Sequence, residues 1–256
     1  MNLRNSLFVA VVCAATLGGT GDSRAFLLAN GNFDRTHAVE VAPGFFLPQP
    51  NNWTNQASRA ISGPYFDDLS SEPWAGPSPT PETTDGNLNG PPPDGFNGPD
   101  GGVFFKAFTG SAANGAATAH LYQDVAGVAG RQYTLTGWAG AEANYLAAQS
   151  ILAIDFLNAG NSVISSVELN LVAAGLFTPN GMPFNYKQYS VSGISPPNTA
   201  AVRARVSMIG GQNNPAGGGQ AFVVDDFVLV PEPSTAALAA AGILGLLGRR
   251  RSRATG

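Results

Sequence analysis

Between Val202 and Met208 apolar and polar side chains alternate without a break, with Val202, Ala204, Val206 and Met208 in one set and Arg203, Arg205 and Ser207 in the other. Successive side chains of an extended backbone point to opposite faces, so this pattern specifies a β-strand with one buried and one wet face. Noisier runs of the same kind fall at residues 103–108, 118–125, 132–138, 150–157, 163–171, 186–192 and 220–229. Gly and Asn punctuate them at 127–130, 158–161 and 210–219, where turns form readily. No stretch between the two ends of the chain sustains a helical period. With 32 Gly, 19 Pro and 12% charged residues in 256, the composition also favours turn-rich β-structure. Many short strands in one domain of about 205 residues predict a sandwich or a barrel with a substantial core.

Residues 47–102 depart from this pattern. Prolines recur from Pro48 and Pro50 through Pro91, Pro92 and Pro93 to Pro99, among Asn, Gly, Asp and Ser. Backbone donors are therefore scarce, continuous strands are not expected, and the segment reads as a long loop insertion on one rim. Trp53, Tyr65, Phe66 and Trp74 lie within it, and large aromatics need cover, so part of the insertion is expected to pack on the domain.

The two ends follow a different logic. Arg4, the apolar stretch 7–17 and Ser23-Arg24-Ala25 read as a secretory signal peptide over 1–25, removed by signal peptidase to leave Phe26 first. Cys13, the sole cysteine, would leave with it, so an oxidising compartment is tolerated without a disulfide framework. At the other end Pro231, Glu232 and Pro233 form a segment that cannot continue as a helix. Residues 236–248 are apolar and uncharged, and Arg249, Arg250, Arg251 and Arg253 follow. Thirteen helical residues rise only ~20 Å, short of the ~30 Å hydrocarbon core, which favours a transient span of the inner membrane over a permanent anchor. The arginines act as a cytoplasmic stop and place the body on the far side.

Motif, short apolar stretch and basic cluster at 230–256 together resemble the PEP-CTERM sorting signal of exopolysaccharide-producing Gram-negative bacteria. The resemblance implies handling by exosortase, a membrane enzyme, with Pro231, Glu232 and Pro233 as recognition residues. It also implies export across the inner membrane to the cell surface or extracellular matrix.

From Phe26 to Pro231 there are seven Lys/Arg and fifteen Asp/Glu, a charge of −8. That balance argues against nucleic acid and suits cations or neutral glycans. The segments 27–34, 132–135 and 223–229 resemble the opening, middle and closing strands of galactose-binding-like jelly rolls found in carbohydrate-binding modules. An all-β jelly-roll β-sandwich over 26–229 is the implied fold, with first and last strands side by side. The resemblance further implies a structural calcium around Asp34, Asp225 and Asp226, held by carboxylate and carbonyl oxygens. The alternative is that one aspartate of the pair faces solvent while the other caps a loop.

Sugar binding needs aromatic faces to stack on pyranose rings, with amides or carboxylates alongside for the hydroxyls. Trp53, Trp74, Trp138, Tyr145 and Tyr186 are the candidates, with Asn144 and Asn185 beside the tyrosines. Core packing is the competing role for each. His37 and His120 lack metal-binding spacing, and no nucleophile elbow, P-loop or cysteine motif occurs. Residues 94–101 look like a calcium loop but lack its regular acidic spacing and read as a solvated turn. The expected function is therefore that of a non-enzymatic exported surface or matrix protein, binding carbohydrate or exopolysaccharide in biofilm. A secreted glycan-active hydrolase, its carboxylate pair hidden among fifteen acidic residues, is the alternative.

Overall fold

A computed structural model describes residues 26–33, 35–59, 69–70, 102–107, 115–179 and 185–232. The signal peptide, Trp74, most of the 60–101 stretch, Asp34, Pro233 and the tail arginines lie outside the described residues. Twelve strands are described: β1 (Thr36–Ala42), β2 (Phe45–Pro50), β3 (Thr54–Arg59), β4 (Leu69–Ser70), β5 (Val103–Phe105), β6 (Ala117–Ala126), β7 (Gln132–Ala141), β8 (Gln149–Leu157), β9 (Val163–Asn170), β10 (Lys187–Ile194), β11 (Ala201–Gly211) and β12 (Phe222–Pro231). All described pairings are antiparallel. Sheet I runs β3-β6-β11-β8-β9, sheet II runs β10-β7-β12-β5-β4, and β1 with β2 forms a separate ribbon.

The alternation of β11 is realised as read. Val202, Ala204, Val206 and Met208 join Leu121, Ile154 and Phe156 of sheet I in one core with Leu135, Phe222, Val224 and Leu229 of sheet II. Fully burying one such large side chain is worth about 1.5–3 kcal/mol, and a one-residue slip would turn the whole set outward. Register is thereby fixed on both sheets, and the product is a β-sandwich.

The expectation that no continuous strand forms in 47–102 fails for its first thirteen residues. Pro48 and Pro50 lie within β2, and β3 follows at once. Among the described residues β2 pairs only with β1, so it is an edge strand. The two prolines are two positions apart and fall on one side of the ladder, so their missing donors can sit along the free edge. Trp53, at the β2–β3 turn, is buried as expected, its ring 5.0 Å from Phe33 and 5.8 Å from Phe227.

The opening segment lies beside the closing strand. Leu27 donates its N–H to Leu229 O at 3.1 Å, and Phe227 donates to Gly31 O at 2.7 Å. Buried Gln123 pins the segment from sheet I, donating to Ala29 O and accepting from Ala29 N–H, both at 2.8 Å. Glycine is required at Gly31 because a Cβ would collide with the Phe227 carbonyl. Opposite this point β12 bulges: Asp225 pairs Trp138 and Val228 pairs Thr136, so Asp226 and Phe227 together face Gly137. The Phe227 ring fills the space a Cβ on Gly137 would take.

Candidate functional site

The sandwich has two outer faces, and the chain has furnished them differently. On sheet I, β11 presents Arg203, Arg205 and Ser207 between Tyr122 and His120 of β6 and Asp155 of β8. Arg205 Nε donates to Asp155 Oδ2 at 2.8 Å and its Nη2 donates to Asp155 Oδ1 at 3.0 Å. The same guanidinium reaches Glu168 Oε1 at 2.7 Å and Ser207 Oγ at 3.0 Å. Asp155, only 3% exposed, also accepts from the Ser166 hydroxyl at 2.8 Å. Both its oxygens are therefore satisfied, as a buried carboxylate requires.

Ser207 Oγ accepts from Arg205 and is also hydrogen-bonded to His120 Nδ1 at 2.7 Å. Burial and the positive charge of Arg205 hold the His120 pKa below its usual 6.5, against the opposing pull of Asp155. One strand position away, Arg203 grips Asp124 with two bonds of 2.6 and 2.8 Å and lies over the Tyr122 ring at 3.9 Å. Every charged group of this face that these bonds join is already committed to another.

On sheet II the outer row is neutral. The pairings Gln188 with Trp138, Ser190 with Thr136 and Ser192 with Thr134 align an amide, four hydroxyls and one indole on the same side of β10 and β7. Thr134 and Ser192 share a 2.8 Å hydrogen bond. Trp138 is half-buried, packed against Phe104, Tyr186, Ala221 and Val223, a second apolar cluster beside it on the same face of the sheet. Asp225 of β12 pairs Trp138 from the other side, buried, with Oδ1 accepting the Asp226 N–H at 2.7 Å. Asp226 follows at φ +51°, the left-handed conformation that an aspartate tolerates in a bulge.

Of the described aromatics singled out in the sequence, the structure brings together Trp138 and Tyr186 and keeps Trp53 and Tyr145 apart from them. Trp53 is in the core with its Nε1 donating to Asn30 O at 2.9 Å, and Tyr145 is in the core with its hydroxyl bonded to Ser150 at 2.8 Å. Neither ring offers a face to a ligand, because Trp53 is packed by Phe33 and Phe227 and Tyr145 stacks on Phe222. Tyr186 is fully buried and packs beside Trp138. Asn144 closes the loop near Gly217. No group of three or more His, Cys, Asp or Glu side chains able to hold a metal occurs among the described residues.

The sorting motif begins inside the folded body. Pro231 still pairs Tyr133 of β7, and Glu232 donates its N–H to Gln132 O at 2.9 Å. The Glu232 carbonyl faces Arg131 Nε at 3.5 Å. Residues 229–251 match the PEP-CTERM protein-sorting motif. This chain carries a PEP-CTERM sorting motif. The motif implies an exported protein processed by exosortase and delivered to the cell envelope.

No curated protein matches the chain. Solved structures similar to it include the following three. The enzymatically active domain of bacteriophage CBA120 tailspike protein 4 shares 12% identity at a TM-score of 0.44, covering 81% of this chain and 21% of that one. TmCBM61 in complex with β-1,4-galactotriose shares 16% at 0.39, covering 81% and 99%. An arabinose-bound MgGH51 α-L-arabinofuranosidase shares 16% at 0.42, covering 83% and 27%. The chain thus spans about a fifth of the tailspike chain and about a quarter of the arabinofuranosidase.

Proposed function

We propose that the protein is a non-enzymatic component of the cell surface or extracellular matrix of a Gram-negative bacterium, and that its body binds a neutral polysaccharide on the outer face of sheet II. The observation that carries this reading is Trp138, half-buried and packed sideways against Tyr186 and Phe104 on the same face, with Gln188 beside it. An indole held rigid by packing is a stacking platform, and the neighbouring amide and hydroxyl row supplies hydrogen bonds to sugar hydroxyls. The acidic body disfavours anionic polymers. Affinity electrophoresis in gels cast with neutral polysaccharides tests the reading: retardation without release of reducing sugar is expected. Release that a single Asp or Glu substitution abolishes would establish the hydrolase instead.

A structural calcium belongs to the same proposal. Asp225 is a buried carboxylate next to Asp226, two hard-oxygen donors of the kind this cation takes, and Asp34, which lies outside the described residues, is the third carboxylate that the resemblance implies. Asp225 pairs Trp138, so the ion would brace the strand beneath the platform. Calcium is expected to raise the melting temperature relative to chelator, and an unchanged melting curve removes the ion from the proposal.

Signal peptidase acts first, then the tail spans the inner membrane until exosortase acts. Intact mass spectrometry of the surface form should show both ends removed. Retention of Arg249, Arg250 and Arg251 at the surface would exclude processing.

A further inference from the structure

Both targeting segments leave the body at one end of the sandwich. The tail departs after Glu232, whose N–H is fastened to Gln132 O at the start of β7. Phe26 precedes Leu27, which is bonded to Leu229 near the same strand end. The loops that close this end are 127–131 between β6 and β7, 158–162 between β8 and β9, and 195–200 between β10 and β11. Strand register places them together: Ala201 pairs both Ala126 and Leu157 in sheet I, while Gln132 pairs Ile194 in sheet II. Ser195, buried, ties two of the loops, with its hydroxyl donating to Val128 O at 2.6 Å and its N–H to Arg131 O at 2.9 Å.

This end is unusually apolar for a solvent surface. Phe26 is 68% exposed, Ile194 67% and Val128 59%, with Val163 and Ile164 exposed beside the 158–162 turn. These five make up more than half of the large exposed apolar side chains among the described residues, in a body whose remaining surface is acidic. Only Pro233, Ser234 and Thr235 separate Glu232 from the apolar stretch that starts at Ala236. At ~3.3–3.6 Å per residue, three residues and their flanking bonds allow a gap of roughly 10–14 Å between the strand end and the apolar segment.

We infer that, before the tail is removed, this end of the sandwich rests on the lipid surface of the inner membrane through Phe26, Val128, Val163, Ile164 and Ile194. The clamp of Glu232 on β7 prevents the strand from unravelling to lengthen the tether. A tether this short leaves the body no position far from the bilayer. Scattered apolar side chains on a tethered domain need little affinity of their own, because tethering replaces free diffusion by a high effective concentration. Removal of the tail then releases the body, since five partly exposed side chains do not hold an acidic domain on a membrane alone.

The inference rests on the tail inserting in the membrane, and the two are separable by experiment. The exported form, beginning at Phe26, free of cysteine and keeping its tail, and carrying one of Ile194→Cys, Val128→Cys or Leu146→Cys, is labelled with an environment-sensitive fluorophore. It is then reconstituted with phosphatidylethanolamine and phosphatidylglycerol vesicles containing brominated lipid. Leu146 is exposed at the opposite end and serves as the reference. Flotation with the vesicles, together with at least twofold stronger quenching at 194 and 128 than at 146, is expected. Flotation with equal quenching at all three overturns this inference and leaves membrane insertion of the tail standing. Failure to float overturns both.

Discussion

The two outer faces of the sandwich are built from the same period-two pattern yet are chemically opposite. Sheet I covers its outer side with charges that neutralise one another, centred on Arg205 and Asp155. Sheet II covers its outer side with uncharged donors and acceptors of β10 and β7 next to one indole, and beyond it with a buried apolar cluster and the buried Asp225. A committed ion-pair network offers an incoming ligand little, since every bond to the ligand would have to break one already made. Neutral hydroxyls and amides exchange water for a sugar hydroxyl at little cost. Under the proposed function this difference gives sheet I a role in stability and sheet II one in recognition, and substitutions on either face can break that division.

The largest effect is expected at the centre of sheet I. Arg205→Ala leaves the buried Asp155 carboxylate with only Ser166 as a neighbour donor, and loss of one partner of a buried pair costs about 3–5 kcal/mol. Urea denaturation should report that loss. Arg205→Met with Asp155→Leu should recover most of it by replacing both charges together. Polysaccharide retardation by this folded double variant should match the parent protein, and a loss of binding would show that sheet I takes part in recognition.

Next comes Trp138→Ala on sheet II. An aromatic anchor of a binding surface is worth about 2 kcal/mol when truncated, so affinity for the bound polysaccharide should fall roughly thirtyfold. Trp138→Phe should retain part of it by preserving a stacking face. Equal binding by the alanine variant, with an unchanged circular dichroism spectrum, would place recognition elsewhere.

A smaller effect is expected for Arg203→Ala. The Arg203–Asp124 pair is partly exposed, with side chains 20% and 34% accessible, so screening limits its worth. Contact with the Tyr122 ring adds a cation–π contribution. Together these predict a loss of about 0.5–1 kcal/mol that shrinks at high salt, in contrast to the salt-insensitive loss at Arg205.

How much of this division was legible in the sequence depends on the range of the interaction. The central strands of both sheets were readable because period two is local, and β11 gave the clearest reading of all. β2 was hidden by Pro48 and Pro50, which forbid a central strand but not an edge, and edge position is a property of the assembled sheet; β3 and β4 fell within the Pro-rich segment and were passed over with it. Trp138 and Tyr186 were both visible as aromatics, yet nothing local told them from Trp53 and Tyr145, because strand parity relative to the core decides which ring faces out. The Arg205 network was invisible for the same reason. Asp155 and Glu168 come from two other strands, 50 and 37 positions away, and only the β8–β11 and β8–β9 registers bring them to Arg205. The sorting motif was fully legible because its order along the chain is itself the signal. Its first residues being part of β12 was not, since that depends on Gln132 at the far end of β7.

The finest test of the division uses pH. His120 sits at the border of the sheet I network, bonded to Ser207, with Arg205 and Asp155 the charged groups that act on it. Burial and Arg205 lower its pKa in the folded state, whereas the unfolded chain keeps the usual value near 6.5. On acidification the unfolded chain therefore takes up this proton first, and stability contributed by the neutral imidazole is full above 6.5 and declines as pH falls towards the folded pKa. Protonation would also fix the direction of the Ser207–His120 hydrogen bond, because both ring nitrogens become donors and the Ser207 oxygen, already accepting from Arg205, must accept this proton as well. The urea midpoint should consequently begin to fall as the pH drops below about 7, above the range in which ordinary carboxylates titrate. His120→Gln should flatten that decline while leaving the Trp138 phenotype intact. A midpoint that falls equally in the glutamine variant would mean that the pH response belongs to another group, and that the Arg205 network is less closely coupled to its neighbour than its hydrogen bonds indicate.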